Sequence, residues 1–367
     1  MKKALIVATV GGFLAQFEMG NASLLEEMGY EVHYASNFNM PAYGNESRLE
    51  KTQIICHQID FERSPYSMEN IRSYRQLKKL MTEIQFDVIH CHTPMGGVLG
   101  RLAAKRSRIG KIIYTAHGFH FYKGASLLNW LFYYPVEKLL SGITDALITI
   151  NNEDYERAKK MSIGAEVYRI HGVGINATGK IHNTKKDRGK DGRFIILAAG
   201  ELNRNKNHRV LIEAISEIED ERILLLICGK GELKEEYEQM IERLRCRKKV
   251  HLMGYCQNME EVYEKADIFV QPSYREGLSV ALMEAMAAGL PCIVSDIRGN
   301  RELIDDGIGG YRIKPNEVSA WKDAIKKMML EDFKRMGKYN IEKICQYDKR
   351  RVKEEMRAVY TETLGGE

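Results

Sequence analysis

Two carboxylates eight residues apart, Glu276 and Glu284, mark the most chemically suggestive stretch of the sequence, Ser273 to Pro291. Leu282, Met283 and Met286 recur at helical spacing, so a helix is expected from about Ser279. Glu276 then lies in the preceding loop, and Glu284 about one and a half turns inside the helix. Between them, the backbone amides of Gly277, Leu278, Ser279 and Val280 form a helix N-terminus without intrahelical partners, preceded by a glycine. Free N–H groups and the helix dipole at such a place suit a diphosphate. Glu276 could bond sugar hydroxyls there and Glu284 ribose hydroxyls. The same residues also fit a plain helix-start charge and a solvated helix residue.

Other residues gather where strands are expected to end. Gly11-Gly12 follows the first apolar run, where glycines let backbone amides approach phosphates. A dinucleotide site does not follow: there is no Gly-x-Gly-x-x-Gly, and the second strand ends Ala35-Ser36-Asn37 instead of in a ribose-binding carboxylate. His117 closes the strand 111–116, which puts an imidazole at the sheet's carboxyl edge. Gly229 and Gly254 follow the strands 223–228 and 249–253, at ends suited to a base and its ribose or equally to tight turns. In His90-Cys91-His92 alternate residues face opposite sides, so only the two histidines share a face, and no metal site is expected. Seven cysteines, at 56, 91, 228, 246, 256, 292 and 345, show no paired short spacing and read as reduced, mostly core thiols.

The two glutamates, followed by Ala285-Met286-Ala287-Ala288-Gly289-Leu290-Pro291, resemble the two-glutamate motif of glycosyltransferase family 4. The similarity runs along nearly the whole chain in the order of its motifs. The strings His90 to Val98, Tyr114 to Phe121 and Asn203 to Asn207 resemble the EpsD-like branch of exopolysaccharide and capsule enzymes. That family consists of retaining enzymes of GT-B fold. The resemblance implies that Glu276 contacts the transferred sugar, Glu284 holds the donor ribose, His117 touches the donor sugar, and Lys206 neutralises the diphosphate as its bond to the sugar breaks. A fixed ammonium there suits a reaction run without a metal. The family's usual Gly-Arg-Leu is Gly200-Glu201-Leu202 here, so either the diphosphate is less neutralised and the donor pose differs, or, as expected, Arg204 supplies the second positive charge from a neighbouring turn. The family further implies a nucleotide-sugar donor, expected to be UDP-linked, and an acceptor attacking from the leaving-group side while a donor phosphate oxygen takes its proton.

The elements that must position these groups alternate strand and helix. Strands are expected at 4–10, 31–35, 53–57, 87–91, 111–116 and 144–150, with helices near 12–28, 69–84, 95–106, 127–140 and 152–161. A poorly buriable stretch at 177–192 reads as a linker. A second series follows, with strands near 193–199, 223–228, 249–253, 267–271 and 291–295. The fold class is therefore α/β: two Rossmann-like doubly wound parallel-sheet domains, 1–176 and 193–346, facing across a cleft. Val352, Met356, Val359 and Tyr360 share a helical face in the segment 347–367, which is expected to return to the first domain.

Length and composition agree with this reading. The 367 residues, 44% apolar and 29% charged, exceed one ordinary α/β core. The net charge of +5 is concentrated in the first half, where Arg101, Lys105, Arg106, Arg108 and Lys111 run without an acidic residue and could face phosphates or simply solvent. No stretch reaches the roughly 20 apolar residues of a bilayer span. The expectation is a cytoplasmic protein without cofactor, in peripheral contact with the anionic inner membrane through the aromatic segment 119–134, most of whose rings pack inside. Its acceptor is then a polyprenyl-diphosphate-linked saccharide, and no nucleic acid is involved. The competing readings are a sugar-nucleotide epimerase of the same fold and a sugar-nucleotide-binding partner subunit without activity.

Overall fold

Continuous apolar runs such as Ala4–Val10, every residue of which is buried, belong to parallel sheets covered on both faces. A computed structural model describes residues 1–40, 46–177, 192–330 and 334–365, the side chains of 46–48 excepted. The chain divides into two units, Met1–Gly174 with Lys349–Glu367, and Ile175–Asp348. Of the expected linker, 178–191 lie outside the described residues.

The first unit contains β1 (Lys2–Val10), α1 (Met19–Glu27), β2 (Tyr30–Asn37), β3 (Ile55–Gln58), α2 (Glu69–Ile84), β4 (Val88–His92), α3 (Pro94–Ser107), β5 (Lys111–Ala116), α4 (Leu127–Ser141), β6 (Ala146–Thr149), α5 (Asn152–Met161) and β7 (Glu166–Arg169). Its sheet has seven strands among the described residues, all paired in parallel, in the order β3-β2-β1-β4-β5-β6-β7. Strand order reverses between β1 and β4, and ligands of such sheets sit outside the carboxyl ends at that point. Val10 and His92 end those two strands.

The second unit contains β8 (Phe194–Ala199), α6 (His208–Ser216), β9 (Ile223–Cys228), α7 (Lys234–Arg243), β10 (Val250–Gly254), α8 (Met259–Lys265), β11 (Ile268–Gln271), α9 (Val280–Ala287), β12 (Cys292–Ser295), α10 (Arg298–Leu303), β13 (Gly310–Ile313), α11 (Val318–Leu330) and α12 (Lys334–Ile344). Its sheet is parallel, with strand order β10-β9-β8-β11-β12-β13. Here the reversal falls between β8 and β11, whose ends are Ala199 and Gln271. Two strands that the sequence reading omits, β7 and β13, are short edge strands with half-covered residues, so they lack the continuous apolar run that marks the others.

The last helix, α13 (Lys349–Leu364), belongs to the first unit and buries Val352, Met356, Val359, Tyr360 and Thr363. Lys353 and Arg357 pair with Glu27 on α1, and the Tyr360 hydroxyl lies 2.7 Å from His90 Nδ1. This is the return that the apolar spacing predicts.

One member of the basic run departs from expectation. Arg101 is fully buried, donating to Glu137 Oε2 at 2.8 Å and to the Gly97 carbonyl at 2.8 Å, with its guanidinium 3.9 Å from the Tyr114 ring centroid. It faces neither phosphate nor solvent, because its position on α3 points into the core. Lys105, Arg106 and Arg108 remain exposed. Removing one partner of a buried pair strands the other charge, so Glu137→Ala should lower the unit's stability by about 3–5 kcal/mol in chemical denaturation. A loss below about 1 kcal/mol would show that water reaches Arg101.

Candidate functional site

In the second unit, the loop after β8 runs from Gly200 to Asn207 and the loop after β11 from Pro272 to Ser279, so the strand-order reversal sets them side by side. Lys206 reaches across, with Nζ 2.7 Å from Glu276 Oε1. Both side chains keep some exposure, 21% and 13%. Backbone ties hold the loops in register: Tyr274 N donates to the Asn205 carbonyl at 2.8 Å, and Asn205 Nδ2 to the Arg275 carbonyl at 3.0 Å. Lys206 N donates to Asn203 Oδ1 at 3.0 Å. Asn207, at φ 52°, donates to the carbonyls of Pro272 and Pro315.

Helix α9 starts where the sequence places it. Ser279 is its N-cap, and its hydroxyl accepts from Leu282 N at 3.3 Å while donating to Gln271 Oε1 at 2.7 Å. That hydroxyl is committed internally, and the amides of the first turn are what the helix can offer a ligand. Glu284 projects from the fifth helical residue, half-buried, with the buried Tyr263 of α8 donating its hydroxyl to Oε2 at 3.1 Å. Burial, then the neighbouring Glu284, pushes the Tyr263 phenol well above its usual range. It therefore stays a neutral donor that aims the carboxylate.

The remaining second-unit candidates differ in what holds them. Arg204 is exposed in the loop after β8, and Glu201, at the position where family 4 usually has arginine, is exposed and accepts from Asn203 Nδ2 at 3.1 Å. Gly229 lies at φ 155°, and a Cβ there would come 1.8 Å from the Gly200 carbonyl oxygen. Its amide donates to the Gly254 carbonyl at 2.7 Å. Gly254, at φ 69°, has open space around it. Gly229 is thus a packing necessity between two strand ends, while Gly254 borders a void.

In the first unit, Gly11 and Gly12 are buried at the start of the first helical turn, with Gly11 N donating to the Asn37 carbonyl at 3.0 Å. A Cβ on Gly11 would meet Phe38 at 2.8 Å, so this glycine is needed for close packing against the end of β2. His117 is not an isolated imidazole: its Nε2 lies 3.1 Å from His92 Nδ1 and 3.4 Å from Glu18 Oε1. Burial lifts the Glu18 carboxyl to about 8, against the lowering effect of its bond from Asn21. Burial also holds His117 down to about 4 and His90 to about 3.

The family described as Glycosyl transferases group 1 matches residues 180–343, and the one described as Glycosyl transferase 4-like matches residues 4–151. The chain is 38% identical to EpsD of Bacillus subtilis (strain 168), over 98% of this chain and 96% of that one. It belongs to glycosyltransferase family 4. A UDP-Gal:alpha-D-GlcNAc-diphosphoundecaprenol alpha-1,3-galactosyltransferase of Escherichia coli is 28% identical over 74% of this chain and 72% of its own. Among solved structures, HepE of Anabaena in complex with UDP and glucose superposes with a TM-score of 0.78 at 16% identity, covering 98% of this chain and all of that one. The fold is the GT-B fold.

Two features of this family 4 site escape the sequence reading. Arg298, buried at the start of α10, directs its Nε to the Glu276 carbonyl at 3.4 Å. Gly299 permits that approach, since a Cβ there would lie 2.5 Å from the Gly277 carbonyl oxygen. The two-glutamate motif ends at Pro291, yet a glycine four residues after the next strand is a visible sign of close backbone approach. Glu18 and its contact with His117 had no such sign.

The two strand-end glycines should respond differently to alanine. Gly229→Ala should be severely destabilising in thermal melts, whereas Gly254→Ala should cost only the left-handed backbone penalty, about 1–2 kcal/mol. Equal losses would contradict the packing role of Gly229.

Proposed function

We propose that this glycosyltransferase moves a hexose or N-acetylhexosamine, with retention of configuration, from a UDP-sugar to a lipid-diphosphate-linked saccharide in exopolysaccharide or capsule assembly. The observation that carries the reading is the Lys206–Glu276 pair at the β8/β11 reversal, 2.7 Å apart, with the N-terminus of α9 three residues beyond Glu276. An ammonium for the leaving diphosphate and a carboxylate for sugar hydroxyls thus share one place, next to amides that can bind phosphate oxygens. Arg204 and Arg298 supply further positive charge where Glu201 cannot. Glu284, aimed by Tyr263, takes the ribose hydroxyls. The name of the Escherichia coli relative and the UDP in HepE support the donor and acceptor classes.

In the proposed step the bond from the sugar's anomeric carbon to the diphosphate oxygen breaks, and the acceptor hydroxyl oxygen bonds to that carbon on the same face. Its proton passes to a phosphate oxygen of the departing UDP. Lys206 meets the charge that develops there, in a site whose groups are already oriented.

Thermal stabilisation by UDP, GDP, ADP and NAD tests the donor assignment. UDP at about 100 times its dissociation constant should add roughly 2.7 kcal/mol, and Glu284→Ala should weaken that shift. A shift with NAD alone would refute the assignment, and UDP binding without transfer to any lipid-linked acceptor would favour a non-catalytic partner subunit.

The acceptor's lipid end is assigned to the first unit. No helix among the described residues is long and apolar enough to cross a membrane, but α4 exposes Leu127, Leu128, Leu131, Phe132, Val136 and Leu139. These recur along one helical face, with exposed Lys123 and Lys138 beside them, the arrangement of a helix lying in a headgroup region. The aromatic segment thus divides: Phe119 and Phe121 are buried, while Phe132 is exposed. Leu128→Glu with Leu131→Glu should abolish co-sedimentation with anionic vesicles while leaving UDP binding intact. Unchanged sedimentation would count against α4 as the docking face.

A further inference from the structure

The ends of β9 and β10 bring two thiols into contact. Cys228 closes β9, and its register partner on β10 is Gly254. Gly254, at φ 69°, bends the chain so that Cys256, two residues on, returns over that strand end. The Cys256 sulfur lies 3.4 Å from the Cys228 sulfur, 28 residues away in the chain. We propose that Cys228 and Cys256 form a redox modification site, closed to a disulfide by exchange with a low-molecular-weight disulfide and reopened by thiol, whose closure shifts the loop that carries Lys206. The inference rests on the second unit alone and needs neither the donor nor the acceptor assignment.

The two thiols differ in what can reach them. Cys228 is buried, at 3% exposure, whereas Cys256 is only partly covered. A reagent from solution therefore meets Cys256 first. Burial, then the contact with Cys256, pushes the Cys228 thiol up to about 12, so its thiolate is scarce and it does not react with solution reagents. A sulfur already held against it offsets that scarcity by proximity. In the first exchange the Cys256 sulfur bonds to one sulfur of the reagent, whose own S–S bond breaks and whose other half leaves as a thiol. In the second, the Cys228 sulfur bonds to that of Cys256 and displaces the remaining half as a second thiol. Both cysteine protons end on the departing thiols, and two electrons pass from the cysteine pair to the reagent. Closure brings the sulfurs from 3.4 Å to a bond length of about 2.05 Å, a further approach of about 1.4 Å.

The neighbouring backbone has little slack to absorb that approach. Gly229 N donates to the Gly254 carbonyl at 2.7 Å, and Leu202 N donates to the Lys230 carbonyl at 2.9 Å. Gly229 itself is packed so closely on the Gly200 carbonyl that a Cβ has no room. Movement at Cys228 is therefore passed through Gly229 and Lys230 to the Gly200–Asn207 loop and to Lys206. Close-packed backbone transmits displacement because it cannot compress. The cysteine spacing in the sequence gave no sign of the pair, since the sheet register and the turn at Gly254 bring the two sulfurs together.

The test uses the full-length chain carrying Cys56→Ser and Cys345→Ser, which removes the two exposed thiols, incubated with glutathione disulfide. The expected product is a peptide pair joined through Cys228 and Cys256, found by mass spectrometry and lost on adding dithiothreitol. The Leu202 amide 15N resonance should shift on closure and return on reduction. Added to this background, Cys228→Ser should stop at a mixed disulfide on Cys256, and Cys256→Ser should leave Cys228 unmodified, with circular dichroism confirming that both are folded. The unsubstituted pair supplies the deciding readout. A reaction that stops at the mixed disulfide, modification of Cys228 ahead of Cys256, no reaction at either thiol, or closure that leaves the Leu202 resonance unmoved would overturn the proposal.

Discussion

A parallel sheet has neither face to spare for water, and the rest of this molecule follows from that constraint. Every strand pairing among the described residues is parallel, so each strand must return through a crossover that covers the sheet. With both faces covered, polar chemistry is left to the strand ends. Where strand order reverses, the flanking connections diverge to opposite faces and open a crevice. Both clusters of chemically capable residues lie at such a reversal, one beside Val10 and His92 and the other beside Ala199 and Gln271.

Polar contacts tie the loops of the second unit's crevice in place. In the second unit a chain of buried polar contacts links the end of β11 to the loop after it, to α10 and to the end of β12: Gln271 Nε2 donates to Asn300 Oδ1 at 3.2 Å, Ser279 donates to Gln271, and Asn300 Nδ2 donates to the Ser295 carbonyl at 3.0 Å. Glycines at 229 and 299 let backbone meet backbone without side chains between. A network of this kind is strong only when complete, so the loop carrying Glu276 is fixed by partners far from it in sequence.

This explains what could be read in the sequence and what could not. Periodicity reports burial, so the interior strands and the α13 face of Val352, Met356, Val359 and Tyr360 were legible. The edge strands β7 and β13 bury too little to give a signal. Glu276, Glu284 and the α9 N-terminus were legible because one contiguous segment carries them. Arg101 was misread because a basic run does not show which member turns inward. The commitment of the Ser279 hydroxyl, the approach of Arg298 and the Glu18–His92–His117 grouping each depend on residues from separate connections, which no local pattern records.

The two reversal points also differ in how they hold charge, and the difference is physical before it is functional. Lys206 and Glu276 keep contact with water, so their pairing is screened and can be exchanged for contacts with a charged ligand at modest cost. Glu18 has no such contact: desolvation raises its carboxyl to about 8 and lowers both neighbouring histidines. Burial therefore favours the neutral forms of all three groups. One topology thus supports a crevice whose charges stay in contact with water and another whose titratable groups burial keeps neutral.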